Sequence, residues 1–169
     1  MRPALNFTRR VLEKCEGIIC AEIGVLRGEN SREILTEWGQ IKTMYLIDNY
    51  QDGWIAYPDA QANLSPWKDK LVWLLEDSVT AISRFADNSF DFIYIDGDHS
   101  YEGVKRDMIA VWPKIREGGV MSGHDYNPRW DSLAGVIRAV DEFENEMKLM
   151  KWVETSGSSS DWAFVKEKK

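Results

Sequence analysis

Short apolar runs alternate along this chain with segments in which apolar residues recur every three or four positions. The runs are too short for typical helices. They are also apolar on both faces, as are strands buried between two layers of helices. Five of them comprise residues 17–23, 44–47, 71–75, 90–95 and 119–122. We therefore predict five buried strands of a largely parallel sheet.

The segments between the runs have helical spacing and recognisable ends. Asn30 is predicted to cap the first helix, with Glu33 completing the capping box and Gly39 at the C-terminal stop. Ser100 is predicted to cap a second helix that runs to Gly118, with a kink or an early last turn at Pro113. Regular alternation of such helices with short buried strands is typical of α/β proteins.

The last part of the chain breaks this alternation. Helical spacing continues from Ser132, but two apolar runs then follow, at 149–153 and 162–165, with a serine- and glycine-rich loop between them. We interpret these runs as a hairpin that adds a final antiparallel strand. No repeat and no domain-sized linker divides the sequence, so we expect residues 1–169 to form a single α/β domain.

Charge and composition narrow the class of protein. The net charge is −7 and the basic residues are scattered, a pattern that does not favour binding to a nucleic acid backbone. Cys15 and Cys20 do not have the spacing of a metal or redox motif. The N-terminus lacks the apolar core of a signal peptide, and no apolar run reaches the ~18 residues of a membrane span. We expect a cytoplasmic protein with no nucleic acid or membrane partner.

The stretch AEIGVLRGENS places Gly24 and Gly28 between the first strand and the first helix. In an open parallel sheet this turn is the favoured position for a cofactor. Glycine permits positive φ or close approach of a ligand, and the helix start beside Asn30 and Ser31 offers free N–H groups to an anion. An ordinary tight connection with no ligand explains the same turn.

The charges around this turn restrict the ligand. Asp48 ends the second strand, where an acidic residue can accept hydrogen bonds from both hydroxyls of a ribose. The spacing of Gly24 and Gly28 lacks the tighter G-x-G that fits a pyrophosphate, which disfavours a nicotinamide-dependent oxidoreductase. Glu22 adds negative charge, which suits an ammonium or sulfonium group. S-adenosylmethionine carries both groups, together with a carboxylate.

The chain resembles class I S-adenosylmethionine-dependent methyltransferases, and in particular the small-molecule O-methyltransferase group related to macrocin and novobiocin sugar methyltransferases. The segments that carry the resemblance lie between about residues 18 and 126: AEIGVLRGENS, YLIDNY, LLEDSV, FDFIYIDGDHSYEGVKRDM and IREGGVMSGHDY. It implies a Rossmann-like three-layer sandwich. The implied sheet has seven mostly parallel strands in the order 3-2-1-4-5-7-6, with strand 7 antiparallel, in agreement with the terminal hairpin.

The resemblance implies a site for S-adenosylmethionine after the first four strands. Its methionine end is assigned to Glu22, Gly24, Gly28, Asn30 and Ser31. The ribose is assigned to Asp48, and the adenine to Asp77 and Ser78. Asp96, which follows the fourth strand, lies at the methyl-transfer position.

The resemblance also implies candidates for proton removal and for a divalent metal. The candidate bases are Asp98 and His99, with His124 third. In sugar and catechol O-methyltransferases the metal ligands follow strands four and five, and these positions match Asp96, His124 and Asp125. His124 stands where those enzymes usually carry aspartate. Because Mg²⁺ prefers oxygen ligands while imidazole suits Mn²⁺ better, we leave open whether the protein needs Mg²⁺, Mn²⁺ or no metal.

The acceptor side is the least determined by the sequence. The segment 48–70 carries Tyr50, Trp54, Tyr57 and Trp67, which suit either a lid over the cofactor or a short helix packed against the sheet. We expect a small-molecule acceptor, and a second subunit in a homodimer could complete its cover. A protein that binds S-adenosylmethionine without transferring its methyl group is the main alternative to an enzyme.

Overall fold

The computed structural model describes residues 2–51, 56–129, 131–156 and 159–167. Its helices are α1 (Pro3–Val11), α2 (Glu29–Glu37), α3 (Ala56–Leu64), α4 (Ser78–Ser83), α5 (Tyr101–Val111) and α6 (Ala134–Met147). Its strands are β1 (Ile18–Ile23), β2 (Ile41–Ile47), β3 (Leu71–Leu74), β4 (Phe90–Ile95), β5 (Ile115–Gly123), β6 (Trp152–Ser156) and β7 (Ser159–Val165). Short 3₁₀ helices span Ser65–Lys70, Trp112–Lys114 and Asp131–Leu133.

The seven strands form one sheet in the order β3-β2-β1-β4-β5-β7-β6. Strands β1 to β5 are parallel to one another, whereas β7 is antiparallel to both β5 and β6. This confirms the predicted fold and the terminal hairpin. From β1 the chain continues outward to β2 and β3 on one side, and β4 and β5 lie on the other side. In open α/β sheets, ligands bind in the crevice at such a change of strand order, which here lies at the carboxyl ends of β1 and β4.

Each face of the sheet is covered by a separate apolar cluster, which explains why the central strands are apolar on both sides. Helices α1, α2 and α3 cover one face, and their buried residues include Ala4, Leu5, Ile34, Leu35 and Ala60. Helices α4, α5 and α6 cover the other face, and theirs include Ile82, Val104, Met108, Val136 and Val140. The result is the predicted three-layer sandwich. No helix in the described ranges is both long and apolar enough to cross a membrane.

The predicted start of the first inter-strand helix was wrong. The residue at the N-cap of α2 is Gly28, in the left-handed conformation at φ 72°, and no side chain caps the helix. Asn30 and Ser31 instead lie inside the first turn, where both are buried. Glycine takes this φ without the steric cost that a Cβ would add, and this frees the two polar side chains for another role.

The next predicted helix does not run to Gly118, and the early end predicted at Pro113 is confirmed. Helix α5 ends at Val111, a 3₁₀ turn follows, and β5 already begins at Ile115 instead of at 119. Pro113 lies in that turn and lacks the N–H that a continuing helix would need. Helix α1 was not predicted. It has few buried residues, and they do not recur over several turns: Pro3, Ala4, Leu5 and Thr8.

Candidate functional site

A cleft of about 650 Å³ opens at the carboxyl ends of β1 to β4. Pockets for small molecules commonly have this volume. Its lining includes seven of the predicted site residues: Gly24, Asp48, Asp77, Ser78, Asp96, Asp98 and His99. The remaining predicted residues lie near the cleft, in β1, at the start of α2 or directly after β5: Glu22, Gly28, Asn30, Ser31, His124 and Asp125.

The turn from Gly24 to Gly28 allows the backbone after β1 to lie close to the ends of the neighbouring strands β2 and β4. Gly24 has a φ of 83°, and a Cβ built on it would lie 2.1 Å from the carbonyl oxygen of Asp96. Its N–H donates to the carbonyl of Ile47 at 2.9 Å. A Cβ on Gly28 would lie 2.8 Å from Cδ1 of Leu64 on α3. Both glycines are therefore required by the packing of the protein itself.

Glu22 is buried beneath the turn, with 1% of its surface exposed. Its carboxylate accepts hydrogen bonds from Nδ2 of Asn30, at 2.8 Å, and from the hydroxyl of Ser31. Burial raises the pKa of Glu22 to about 7, although the hydrogen bonds from Ser31 and Asn30 act in the opposite direction. The side chains of Asn30 and Ser31 are thus bound to the protein's own carboxylate, while the backbone N–H groups that the sequence offers to an anion stay a prediction.

Asp48 braces the turn from the end of β2. Its Oδ2 accepts the backbone N–H groups of Val25 and Leu26, both at 2.9 Å, and its Oδ1 accepts that of Tyr50 at 2.8 Å. A carboxylate has about four acceptor positions, so these three bonds leave room for a further donor from the cleft. Sequence reasoning placed Asp48 correctly in the cleft but missed that it orders the loop.

Four polar side chains meet at the end of the cleft beside α4. Asp77 caps this helix by accepting the N–H of Thr80 at 3.1 Å, and it lies 3.1 Å from the guanidinium of Arg106. The Ser78 hydroxyl donates to Asp107 at 2.5 Å. Burial raises the pKa of Asp107. Arg106 and Asp107 belong to the GVKRDM segment, but nothing in its pattern shows that they point at the cleft.

Asp96 is paired with an arginine from the other end of the chain. Arg2 Nη1 lies 2.6 Å from Asp96 Oδ2 and 3.1 Å from the hydroxyl of Tyr94. Burial alone would raise the pKa of Asp96, but the hydrogen bond from His99 and the charge of Arg2 outweigh it and lower the pKa. Asp96 is therefore ionised at neutral pH, and no sequence signal pointed to Arg2.

Asp96, His99 and Asp125 form a cluster whose potential ligand atoms all lie within 4.8 Å of one another. His99 Nε2 lies 3.4 Å from Asp96 Oδ1 and 3.3 Å from Asp125 Oδ2. The hydrogen bond with Asp96 raises the pKa of His99. The metal set implied by the resemblance contained His124 in place of His99, and it stays a prediction, since His124 Nε2 also lies 3.4 Å from Asp125 Oδ1. Two carboxylates and an imidazole fit Mn²⁺ or Zn²⁺ better than Mg²⁺.

The other two candidate bases have different surroundings. Asp98 Oδ1 accepts the N–H of Ser100 at 2.8 Å, and this hydrogen bond lowers the pKa of Asp98. Asp98 therefore helps to start α5 and is a weak proton acceptor. His124 Nδ1 lies 2.6 Å from the buried Asp161, while its Nε2 lies 3.4 Å from Asp125 Oδ1.

The aromatic segment after β2 forms a packed layer in the part that the structure describes. Tyr50 is buried, and its ring contacts that of Tyr57 at a centroid distance of 5.1 Å. Tyr57 also contacts Trp73 of β3 at 5.2 Å. The short helix predicted for this segment is present as α3, and the lid over the cofactor stays a prediction, since Tyr50 also lines the cleft. Trp54 lies outside the described residues.

Comparison of the sequence with family models gives one match over most of the sheet. The model, described as a methyltransferase domain, matches residues 21–126. This range holds every residue predicted here to bind a cofactor or a metal. None of the curated proteins compared with the sequence matches it.

Several solved structures share the fold. An O-methyltransferase from Bacillus cereus in complex with SAH is 19% identical, with a TM-score of 0.71 over 98% of this chain and 82% of that one. The O-methyltransferase TomG from Streptomyces achromogenes, in complex with SAM, is 13% identical, with a TM-score of 0.70 over 96% and 79%. A precorrin-6y C5,15-methyltransferase from Geobacter metallireducens is 15% identical, with a TM-score of 0.70 over 96% and 86%. At such identities the likeness concerns the fold.

Proposed function

This chain belongs to the methyltransferase domain family and has the fold of class I S-adenosylmethionine-dependent methyltransferases, and from that premise we propose that it methylates a hydroxyl oxygen of a small molecule. The observation that carries the proposal is the cleft, whose wall is formed by the ends of β1 to β4. Its ionised Asp96 stands beside both Asp98 and His99.

In the proposed complex, S-adenosylmethionine lies along the cleft with its adenosine between Asp48 and Asp77. The remaining acceptor position of Asp48 suits a ribose hydroxyl, and Asp77 suits the adenine amino group. The methionine end lies against the turn at Gly24, above the buried carboxylate of Glu22. The sulfonium methyl would then face Asp96, and the carboxylates of the cluster would favour binding of the positively charged group.

Transfer to oxygen needs alignment and removal of one proton. The acceptor oxygen attacks the methyl carbon, the carbon–sulfur bond breaks, and S-adenosylhomocysteine leaves with the bonding electrons. The hydroxyl proton passes to an imidazole, His124, or His99 where no cation is bound, since the backbone hydrogen bond lowers the pKa of Asp98 and makes it a weak proton acceptor. A divalent cation bound by Asp96, His99 and Asp125 would lower the pKa of the hydroxyl. These side chains at the transfer position are what favours oxygen over carbon as the acceptor atom.

Thermal unfolding with S-adenosylhomocysteine or NAD, each with and without Mn²⁺ or Mg²⁺, tests the cofactor first. A ligand at ~100 times its Kd adds about 2.7 kcal/mol, which raises the Tm of a chain of this size by about 5 to 10 °C. Stabilisation by S-adenosylhomocysteine is expected, whereas stabilisation by NAD alone would indicate an oxidoreductase.

Methyl transfer is then measured with a panel of sugars, catechols and hydroxy acids. Transfer to a hydroxyl that falls in the variant His99→Gln supports the proposed chemistry. Cofactor binding without transfer to any member of the panel favours a module that binds S-adenosylmethionine without catalysis.

A further inference from the structure

Asp107 is a carboxylate at a core position of α5. The buried face of this helix also carries Val104, Met108 and Val111, at helical spacing. Asp107 is 2% exposed, yet it lines the wall of the cleft. Burial of a carboxylate costs free energy unless hydrogen-bond donors or cations compensate it. An acidic residue within an apolar helix face therefore needs partners.

The protein itself provides partners for one of the two oxygens of Asp107. The Ser78 hydroxyl donates to Oδ1 at 2.5 Å, and Nη2 of Arg106 lies 3.6 Å from the same oxygen. In the described part of the chain, no hydrogen-bond donor reaches Oδ2. An ionised carboxylate offers about four acceptor positions. Oδ2 is thus open to a donor from a bound ligand.

The open oxygen faces Gly97, which also lines the cleft. A Cβ built on Gly97 would lie 3.9 Å from Oδ2, and Oδ2 is the atom of Asp107 nearest to it. Because glycine has no side chain, the flat ring of a ligand can approach the carboxylate on this side. The buried oxygen therefore lies where the cleft ends beside α4.

We propose that Oδ2 of Asp107 accepts a hydrogen bond from the exocyclic amino group of the adenine, and that Asp107 thereby selects an aminopurine cofactor over an oxopurine. This inference rests on the proposed function. The hydrogen-bond donors of the cofactor are its ribose hydroxyls, its ammonium group and its adenine amino group. In the proposed complex the first two face Asp48 and the turn at Gly24, which leaves the amino group for the end beside α4. An amino group has two N–H donors, so Asp107 can accept one while Asp77 accepts the other.

Asp77 is less suited than Asp107 to distinguish one purine from another. Its Oδ1 accepts the N–H of Thr80 at 3.1 Å, its Oδ2 lies 3.1 Å from Arg106, and its side chain is 41% exposed. Water can replace a missing ligand donor at an exposed carboxylate. At Asp107 the oxygen would stay buried without a partner, and such a site rejects a ligand that lacks the donor.

The measurement is the Kd of the full chain for S-adenosylhomocysteine and for its deaminated analogue S-inosylhomocysteine, by isothermal titration calorimetry. The analogue has a carbonyl oxygen in place of the amino group, and this oxygen would face Oδ2 with no hydrogen between them. Wild type is expected to bind the analogue about tenfold or more weakly, as fits a lost hydrogen bond to a charged group. Equal affinities in wild type would overturn the proposal, and this result needs no variant to fold.

Asp107→Asn is expected to remove the preference for adenine. Ser78 and Arg106 favour an oxygen at the position of Oδ1, so the new NH₂ takes the place of Oδ2 and can donate to the carbonyl oxygen of the analogue. The ratio of the two Kd values should therefore fall about tenfold or more. A purely structural role of Asp107 would weaken the binding of both compounds alike. An unchanged ratio in the folded variant would accordingly overturn the proposal.

Glu76→Gln is the matched control because it removes the same charge from the same cleft. Arg84 Nη2 already lies 2.6 Å from Oε2 of Glu76, and the residue lines the cleft. Both affinities can change in this variant, but their ratio is expected to stay within about threefold of wild type. An equal fall of the ratio in Glu76→Gln would show that charge alone sets the preference, against the proposal.

The same titrations separate this inference from the proposed function. Failure of wild type to bind either compound would overturn both. A preference for S-adenosylhomocysteine without methyl transfer to any hydroxyl would support the role of Asp107 and overturn the proposed function alone.

Discussion

Gly24 and Asp96 are in backbone contact across β1 and β4, so closely that a Cβ at position 24 would lie 2.1 Å from the Asp96 carbonyl oxygen. Gly24 also has a φ of 83°, which an L-residue adopts only with strain. Gly24→Ala is therefore expected to lower the free energy of unfolding by about 3 kcal/mol or more, from combined strain and overpacking. Urea unfolding measures the change.

Gly39→Ala is the control for that substitution. A Cβ at position 39 meets no heavy atom within 4 Å, so the free energy of unfolding is expected to change by less than about 0.5 kcal/mol. Equal losses in the two variants would show that the contact between Gly24 and Asp96 is not what requires glycine.

The buried carboxyl of Glu22 is expected to make stability depend on pH. Burial raises its pKa from 4.5 to about 7, so between these values the folded state binds the proton more tightly than the unfolded chain does. Its stabilising contribution is complete below about pH 4.5 and is lost as the pH rises to about 7, by up to about 3 kcal/mol. Urea unfolding at several pH values should show wild type losing stability relative to Glu22→Gln across this window.

Glu37→Gln provides the comparison for Glu22→Gln because the carboxylate of Glu37 is exposed. Its side chain is 47% accessible, and its stability curve is expected to run parallel to that of wild type. A parallel curve for Glu22→Gln as well would mean that Glu22 titrates alike in the folded and unfolded chains.

Asp48→Asn separates the bracing of the glycine turn from the proposed binding of ribose. The amide has one acceptor oxygen in place of two, so the N–H groups of Val25 and Leu26 or that of Tyr50 lose their acceptor. We expect the free energy of unfolding to fall by about 1 to 3 kcal/mol. The affinity for S-adenosylhomocysteine, measured by calorimetry, should fall about tenfold or more.

The variant Asp69→Asn changes the net charge equally at an exposed position and is expected to alter neither quantity. Loss of stability in Asp48→Asn with unchanged affinity would leave Asp48 with the bracing role alone.

Binding of Mn²⁺ or Zn²⁺ alone distinguishes the observed cluster from the metal set predicted from sequence. His99→Ala is expected to raise the Kd about tenfold or more, because His99 Nε2 is within reach of both Asp96 and Asp125. His124→Gln should change the Kd by less than about threefold. Isothermal titration calorimetry measures both. The opposite ranking of the two variants would restore His124 as the ligand.

The overall fold was predictable because strands apolar on both faces require a covered parallel sheet. The order of the seven strands agrees with what the resemblance implied, and the antiparallel β7 agrees with the terminal hairpin predicted from the apolar runs. The errors lie at ends of elements, at Gly28, at Ile115 and throughout α1. There the backbone conformation depends on local strain or on a few tertiary contacts, which a pattern of apolar residues does not record.

The candidate site was predictable in its location and only partly in its contacts. Asp48, Asp77 and Asp96 lie in one cleft because the carboxyl ends of parallel strands meet at one edge of the sheet. Their partners were not predicted. The side chains of Asn30 and Ser31 are a case in point, since both turn inward to Glu22.

The sequence by itself determined the α/β architecture and the edge of the sheet at which the candidate site lies, because periodicity and strand-terminal residues are local properties. Only the tertiary structure decided which polar groups pair. Arg2 reaches Asp96 across 94 positions of the chain, and Asp161 reaches His124 across 37. Such pairs form only where the packed layers bring two side chains together and orient them toward each other. The spacing of residue types along the chain does not contain this information.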